Sequence, residues 1–209
     1  MHKTLIILSL CLIGLQSSAQ KVNVFNTFGI GWAGTNQSNH GKIVFGEMLQ
    51  LGSPIPLRIL AGSEIGFNAI KKGSYGFLGN QNAADINKNI NQLFLAIPLG
   101  LELNFKYVGI GASQEIVSLN FDRTRDSTFV EPVAYSLKTK AFSSIFGKNA
   151  NLNGQIYVTV NLTDMFTIKA GMRKQNNYFN LFNKEEENLG VLAYRQVMPF
   201  IDLRFNFEK

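Results

Sequence analysis

From Leu93 to Phe105 every odd position is a large apolar residue: Leu93, Leu95, Ile97, Leu99, Leu101, Leu103 and Phe105. The even positions are mostly small or polar, among them Gly100, Glu102 and Asn104. A period of two is that of a strand with one uniformly apolar face. An apolar face backed by Gly, Glu and Asn is what a membrane barrel requires, with lipid outside and a tight polar lumen inside.

The pattern recurs with less purity along the chain. Ile156, Val158, Val160 and Leu162 oppose Tyr157, Thr159 and Asn161, and Phe166, Ile168, Ala170 and Met172 oppose Thr167, Lys169, Gly171 and Arg173. Near the C-terminus Ile201, Leu203, Phe205 and Phe207 oppose Phe200, Asp202, Arg204 and Asn206. Leu57, Ile59, Ala61, Ile65 and Phe67 oppose Arg58, Gly62, Glu64, Gly66 and Asn68. Val22, Val24, Phe28, Ile30 and Trp32 oppose Asn23, Thr27, Gly29 and Gly31. In Lys42 to Leu51 and Tyr107 to Leu119, Glu47 and Gln114 interrupt whichever face is taken as apolar, so a β-bulge is expected in each.

The connections alternate in length. Gly52 to Ile55, the step at Phe105-Lys106, and Thr163 to Met165 are short; Gly34 to Gly41, Lys71 to Asn91, Asn120 to Asn153 and Asn176 to Gly190 are long. Tight turns at one end and longer loops at the other are the habit of outer-membrane barrels. The fold class predicted is therefore all-β, a closed antiparallel up-and-down transmembrane β-barrel of eight strands. Ten is the alternative count, because Phe129 to Leu137 also reads as a strand. The start of the run Asp85 to Leu95 reads as a short helical turn.

This pattern assigns faces. Lipid-facing positions are Leu95, Ile97, Leu99, Leu101, Leu103, Ile156, Val158, Val160, Ile168, Leu203, Phe205 and Phe207. Arg58, Glu64, Glu102, Glu115, Lys169, Arg173, Asp202 and Arg204 fall on the lumen side. A barrel of about eight strands has an interior that side chains just fill, and unpaired charge buried there costs several kcal/mol. These charges are expected to pair across the lumen and plug it. The rival reading is an ion path or pore.

Residues 1–19 stand apart from the barrel. His2 and Lys3 precede an apolar run from Leu5 to Leu15, and small residues Ser17 and Ala19 lie before Gln20. These are the parts of a secretory signal peptide, with cleavage expected between Ala19 and Gln20. The run is shorter than the roughly 20 residues of a membrane-spanning helix. Residues 20–209 then form one outer-membrane barrel domain. The single cysteine, Cys11, follows Leu10 rather than the small residue a lipoprotein signal needs, so no lipid anchor is expected. The exported chain has no cysteine for a disulfide, a thiolate or a metal site.

Composition agrees with a wall covered by something other than charge: only 16% of residues are charged, against about a quarter in soluble globules. The formal net charge of +6 is spread out, with no basic run longer than Lys71-Lys72. A nucleic-acid partner is not expected.

Candidate chemistry is sparse. His40 is the only histidine beyond residue 19, in the run Ser38-Asn39-His40-Gly41 of the first expected loop. A loop histidine is expected to be solvated. Ser38 and Glu47 lie near it in sequence, which keeps a lipid hydrolase using His40 as an alternative, although two residues on a loop do not make an oriented base. Gly73, Gly76 and Gly79 are followed by no Lys-Ser or Lys-Thr, so they form no phosphate loop. Glu185, Glu186 and Glu187 point in divergent directions on a loop and are read as solvated rather than metal-binding. Asp126-Ser127-Thr128 matches a short O-glycosylation pattern. No catalytic, cofactor or metal residue is assigned, and no enzyme activity is expected.

The run Leu95-Ala96-Ile97-Pro98-Leu99-Gly100-Leu101-Glu102, followed by a short hairpin and Tyr107-Val108-Gly109-Ile110-Gly111, resembles the strand pair of the PorT-like outer-membrane β-barrel family. Phe28-Gly29-Ile30-Gly31-Trp32-Ala33-Gly34 is similar to that family's opening strand, and Ile70-Lys71-Lys72-Gly73-Ser74 to the end of its third. The resemblance runs from about Val22 to Phe207. It implies a small OmpA-like barrel in the outer membrane of a diderm bacterium and carries no catalytic residues. Such barrels often end on an aromatic residue, whereas Glu208 and Lys209 follow Phe207 here. The function expected is structural or loop-mediated binding. Outer-membrane lipid, the barrel-assembly machinery and a surface or periplasmic protein are the expected partners. Small-solute transport or a secretion-associated role is the first alternative, a lipid-modifying enzyme the second, and a soluble lipocalin-like barrel with its apolar face inside the third.

Overall fold

The computed structural model describes residues 22–51, 56–75, 84–86, 88–122, 130–131, 136–145, 153–183 and 185–208. The expected signal segment and its cleavage position at Ala19 and Gln20 lie outside the described residues, as do Asp126 to Thr128, Gly76 and Gly79.

Eight strands build the wall: β1 (Val22–Gly34), β2 (Ser38–Leu51), β3 (Leu57–Ile70), β4 (Ile90–Asn104), β5 (Val108–Phe121), β6 (Gly154–Asn161), β7 (Phe166–Phe182) and β8 (Asn188–Glu208). Each pairs antiparallel with its sequence neighbours. β8 pairs back onto β1, from Phe25 opposite Glu208 to Ala33 opposite Phe200, and closes the barrel. Closure removes the two free end strands that an open sheet would have, which matters where no water can satisfy backbone groups. Both described ends of the chain, Val22 and Glu208, lie at the end that carries the connections 52–56, 105–107 and 162–165.

The loop end departs from expectation in several places. Gly34 to Gly41 is not a long loop: β1 runs to Gly34, β2 starts at Ser38, and the hairpin turn is Thr35 to Gln37. Thr35 organises that turn, its hydroxyl oxygen accepting from the backbone N–H of Gln37 at 3.2 Å and of Ser38 at 3.3 Å. Asn176 to Gly190 is likewise mostly strand, with only residues 183–187 between β7 and β8. Ile90 to Leu95 is strand rather than helical turn, and Ala84–Ile86 is a short strand. No helix occurs among the described residues. Phe129 to Leu137 does not raise the barrel to ten strands. Its described parts are Val130–Glu131, which pairs with Ala84–Ile86 outside the barrel, and the start of Ser136–Thr139.

β6 is the shortest barrel strand, at 8 residues against 17 in β7. The third loop completes the wall above it: Ser136–Thr139 pairs with the end of β7, and Phe142–Ser144 pairs with Val117 to Leu119 of β5. The backbone groups that β6 is too short to reach thus find partners.

The register shifts at Leu181/Phe182, at the loop end of β7 and β8, and again in mid-wall, where a proline explains the bulge. Ile97 stands opposite Val117 while Pro98 stands opposite Glu115, leaving Ile116 as the extra residue. Pro98 has no backbone N–H for the ladder, and prolines inside sheets collect at bulges. The extra residue reverses the alternation, so Glu115 and Ser118 both face inward. The second expected bulge, in Lys42 to Leu51, is absent. β2 keeps a continuous register with both neighbours, Met48 points inward, and Glu47 stands exposed on the outer face between Phe45 and Leu49.

Candidate functional site

The barrel is turned inside out relative to a soluble one. On the outer face Leu95, Ile97, Leu99, Leu101, Leu103, Ile156, Val158, Val160, Phe205 and Phe207 are exposed, Ile97 at 52%, while Ile168 and Leu203 are half-buried. Phe28 packs on Phe45 at 5.2 Å, Phe166 on Phe205 at 5.0 Å, and Trp32 edge-on to Phe67 at 5.9 Å between ring centres. The outward apolar run of β4 extends from Leu93 to Phe105. At roughly 3.3 Å per residue and a tilt of about 40° it covers about 30 Å along the barrel axis. Such a band is tall enough for the hydrocarbon core of a bilayer.

Inward, all eight of the charged positions read from the sequence are buried: Arg58, Glu64, Glu102, Glu115, Lys169, Arg173, Asp202 and Arg204. They form two clusters. Nearer the turn end, one Glu102 oxygen accepts from Arg58 at 3.1 Å and the other from both terminal nitrogens of Arg204 at 3.2 Å. At mid-barrel, Lys42 reaches Glu64 at 3.0 Å and Asp202 at 3.1 Å. Lys169 lies 3.7 Å from Asp202 and 3.9 Å over the Tyr157 ring. Arg173 lies 3.6 Å from Glu64 and pairs with Glu115, whose other oxygen accepts from Asn153 at 2.9 Å. Five strands contribute to this cluster, so it ties together opposite parts of the wall. Both oxygens of Glu102 and Glu115 accept hydrogen bonds, and Glu64 and Asp202 each face two cations, which offsets part of the desolvation cost of burying charge.

Lys42 is the partner that sequence reasoning missed. It lies at the start of a segment whose faces Glu47 made ambiguous; with β2 now known to lack a bulge, its inward direction follows from strict alternation with Met48. Among the described residues five cations and four carboxylates therefore share these lumen ion pairs.

Polar layers close the lumen above and below. At the turn end Asn161 donates to Asn104 at 2.8 Å and accepts from Thr167 at 3.0 Å. At the loop end Gln92 donates to Thr139 at 2.8 Å, and Thr139 donates to Asp122 at 3.0 Å, so the third loop is fastened onto the interior. A cavity of about 60 Å³ remains among Lys42, Glu64, Tyr157, Lys169 and Asp202, space for a few water molecules only. Glycines make room for this filling. A Cβ at Gly111 would stand 2.7 Å from the Tyr157 ring, and one at Gly31 would overlap the Asp202 carboxylate.

His40 is a correction. It is not a solvated loop residue but a β2 residue at 1% exposure. Its Nδ1 meets the Asn68 side-chain oxygen at 2.5 Å, and its ring stacks on Phe94 at 4.9 Å. Ser38 shares its face, with its hydroxyl bonded to Gln196 and 3.3 Å from the Met198 sulfur, whereas Glu47 is on the opposite side of the wall. The three residues of a hydrolase are not brought together. Glu185 to Glu187 occupy the β7–β8 turn, where Asn183 Oδ1 accepts from the backbone N–H of Glu185 and Glu187, and Asn183 Nδ2 donates to the Glu187 carboxylate. Among the described residues no group of three His, Cys, Asp or Glu side chains is placed to hold a metal.

No protein-family model matches the chain, and no curated protein matches it.

Proposed function

We propose that this chain is an integral outer-membrane barrel, exported by its N-terminal segment, whose role is structural or is exercised by its loops rather than through a pore or a catalytic centre. The observation that carries this reading is the pairing of an apolar outer wall with an ion-paired interior. In water that arrangement would leave a hydrophobic surface far larger than soluble monomers carry, and in a bilayer it satisfies both sides of the wall.

The loop end supports the second half of the proposal. Gly73–Tyr75, Ala84–Ile86 and Val130–Glu131 form a small three-stranded sheet that joins the second loop to the third. Backbone pairing between two loops gives a shaped platform, suited to a surface protein partner. The ion-paired lumen, with a cavity of about 60 Å³ among its charges, supports a plug rather than a path for a transported solute.

The test is refolding into phosphatidylcholine vesicles. The protein should float with the lipid, show a strand-dominated circular dichroism spectrum, and migrate differently on a gel before and after boiling. Protein that stays in the aqueous fraction with that spectrum would overturn the membrane assignment.

A further inference from the structure

On the outer face, the wall from β4 to β8 is indented by a groove of about 660 Å³, within the roughly 300–1,000 Å³ range of ligand sites. Its floor is low because Ala112 and Gly154 carry almost no side chain, while Leu99, Leu101, Met172 and Val197 stand along its sides. None of its lining residues is acidic, and one, Lys174, is cationic.

Loopward of Met172 and Val197, the next outward positions on β7 and β8 are Lys174 and Arg195. Lys174 stands opposite Val197 and Arg195 opposite Asn176, which makes the two cations diagonal neighbours; backbones in that relation are about 7–8 Å apart. Both side chains are exposed, and among the described residues neither forms an ion pair. In the lumen charges are buried in pairs, whereas these two adjacent cations border an apolar groove on the outer face, open to an anion from outside the chain.

We propose that this groove holds one anionic phospholipid, with an acyl chain along the Ala112–Gly154 floor and its phosphate between Lys174 and Arg195. Arginine grips phosphate through two parallel N–H bonds and lysine adds a point charge. Long basic side chains at the edge of an apolar wall reach up to headgroup level while their stems cover hydrocarbon, and basic sites on membrane proteins select anionic headgroups. The inference rests on the membrane reading above.

The test reconstitutes wild type, Lys174→Gln with Arg195→Gln, and Ala112→Phe into phosphatidylcholine vesicles containing a minor share of phosphatidylglycerol, followed by flotation, mild detergent extraction and native mass spectrometry. Wild type should retain one phosphatidylglycerol, enriched about ten-fold over its share, which is the factor that roughly 1.4 kcal/mol produces. The double variant should lose that enrichment while keeping its heat-modifiable gel shift, and Ala112→Phe, with both cations in place, should lose it by filling the floor. Equal enrichment in wild type and the double variant overturns the proposal. Release of the lipid by millimolar inorganic phosphate would make this an ion site and also overturn it. Failure to float defeats the membrane reading itself, and is seen before any lipid is counted.

Discussion

Glu102→Gln removes the one carboxylate that Arg58 and Arg204 share at the turn end of the lumen. Arg58 Nη1 lies 3.1 Å from one oxygen and Arg204 Nη1 3.2 Å from the other, and the carboxylate is 1% exposed. Truncating one member of a buried ion pair costs about 3–5 kcal/mol, because the partner is left charged and dry. Here two partners are left. The guanidinium groups grip opposite oxygens of one carboxylate, so their nearest nitrogens lie within about 8 Å, and at an effective dielectric of about 20 they repel by roughly 2 kcal/mol. The expected loss lies at the upper part of the 3–5 kcal/mol range. Urea unfolding in lipid vesicles measures it, followed by the fluorescence of Trp32, the only tryptophan. Adding Arg204→Met should recover about 2 kcal/mol by removing the repulsion. The exposed turn variant Asp164→Asn serves as control. A Glu102→Gln loss no larger than that of Asp164→Asn, or no recovery in the double variant, would refute the idea that the lumen is held by charge compensation.

Three further outcomes follow from the same geometry. Ile97→Arg, which puts a charge on the outer wall near the middle of the apolar run, should destabilise by roughly 2–4 kcal/mol in the same assay; no loss would mean that Ile97 does not meet lipid. Gly111→Val should cost about 1–3 kcal/mol through the overlap with Tyr157 and be relieved in a Tyr157→Ala background, whereas an equal cost in both backgrounds would contradict the contact. Planar bilayers containing the wild-type protein should show no steady conductance, and stable reproducible channels would contradict a lumen filled by its own side chains.

The strands were legible in proportion to how apolar their outer face is. β4 could be read residue by residue, because six alternating large side chains from Leu93 to Leu103 face outward, Phe105 continues the pattern, and Glu102 and Asn104 face in. The loop half of the barrel was read as loop for a physical reason. A polar lumen fills strands with Asn, Gln, Ser and His, the residues that mark turns in soluble proteins. His40 in β2 and Asn177 in β7 are buried wall residues of this kind. The eight charged positions were found by alternation alone. Their partners were not, since pairing across the lumen depends on the register and tilt of strands distant in sequence, and Lys42 joins the cluster only once β2 is known to have no bulge. The reversal at Ile116 had a signal in Pro98, but on the neighbouring strand.

The central claim is that the wall faces lipid, and Trp32 tests it without any substitution. It is 49% exposed on the outer face of β1, near the loop end. In vesicles whose acyl chains carry bromine, its fluorescence should be strongly quenched, more by bromines placed near the headgroup than by those near the chain end, while aqueous acrylamide should have little effect. Efficient quenching by acrylamide with none from brominated chains would put the apolar wall in water and contradict the account.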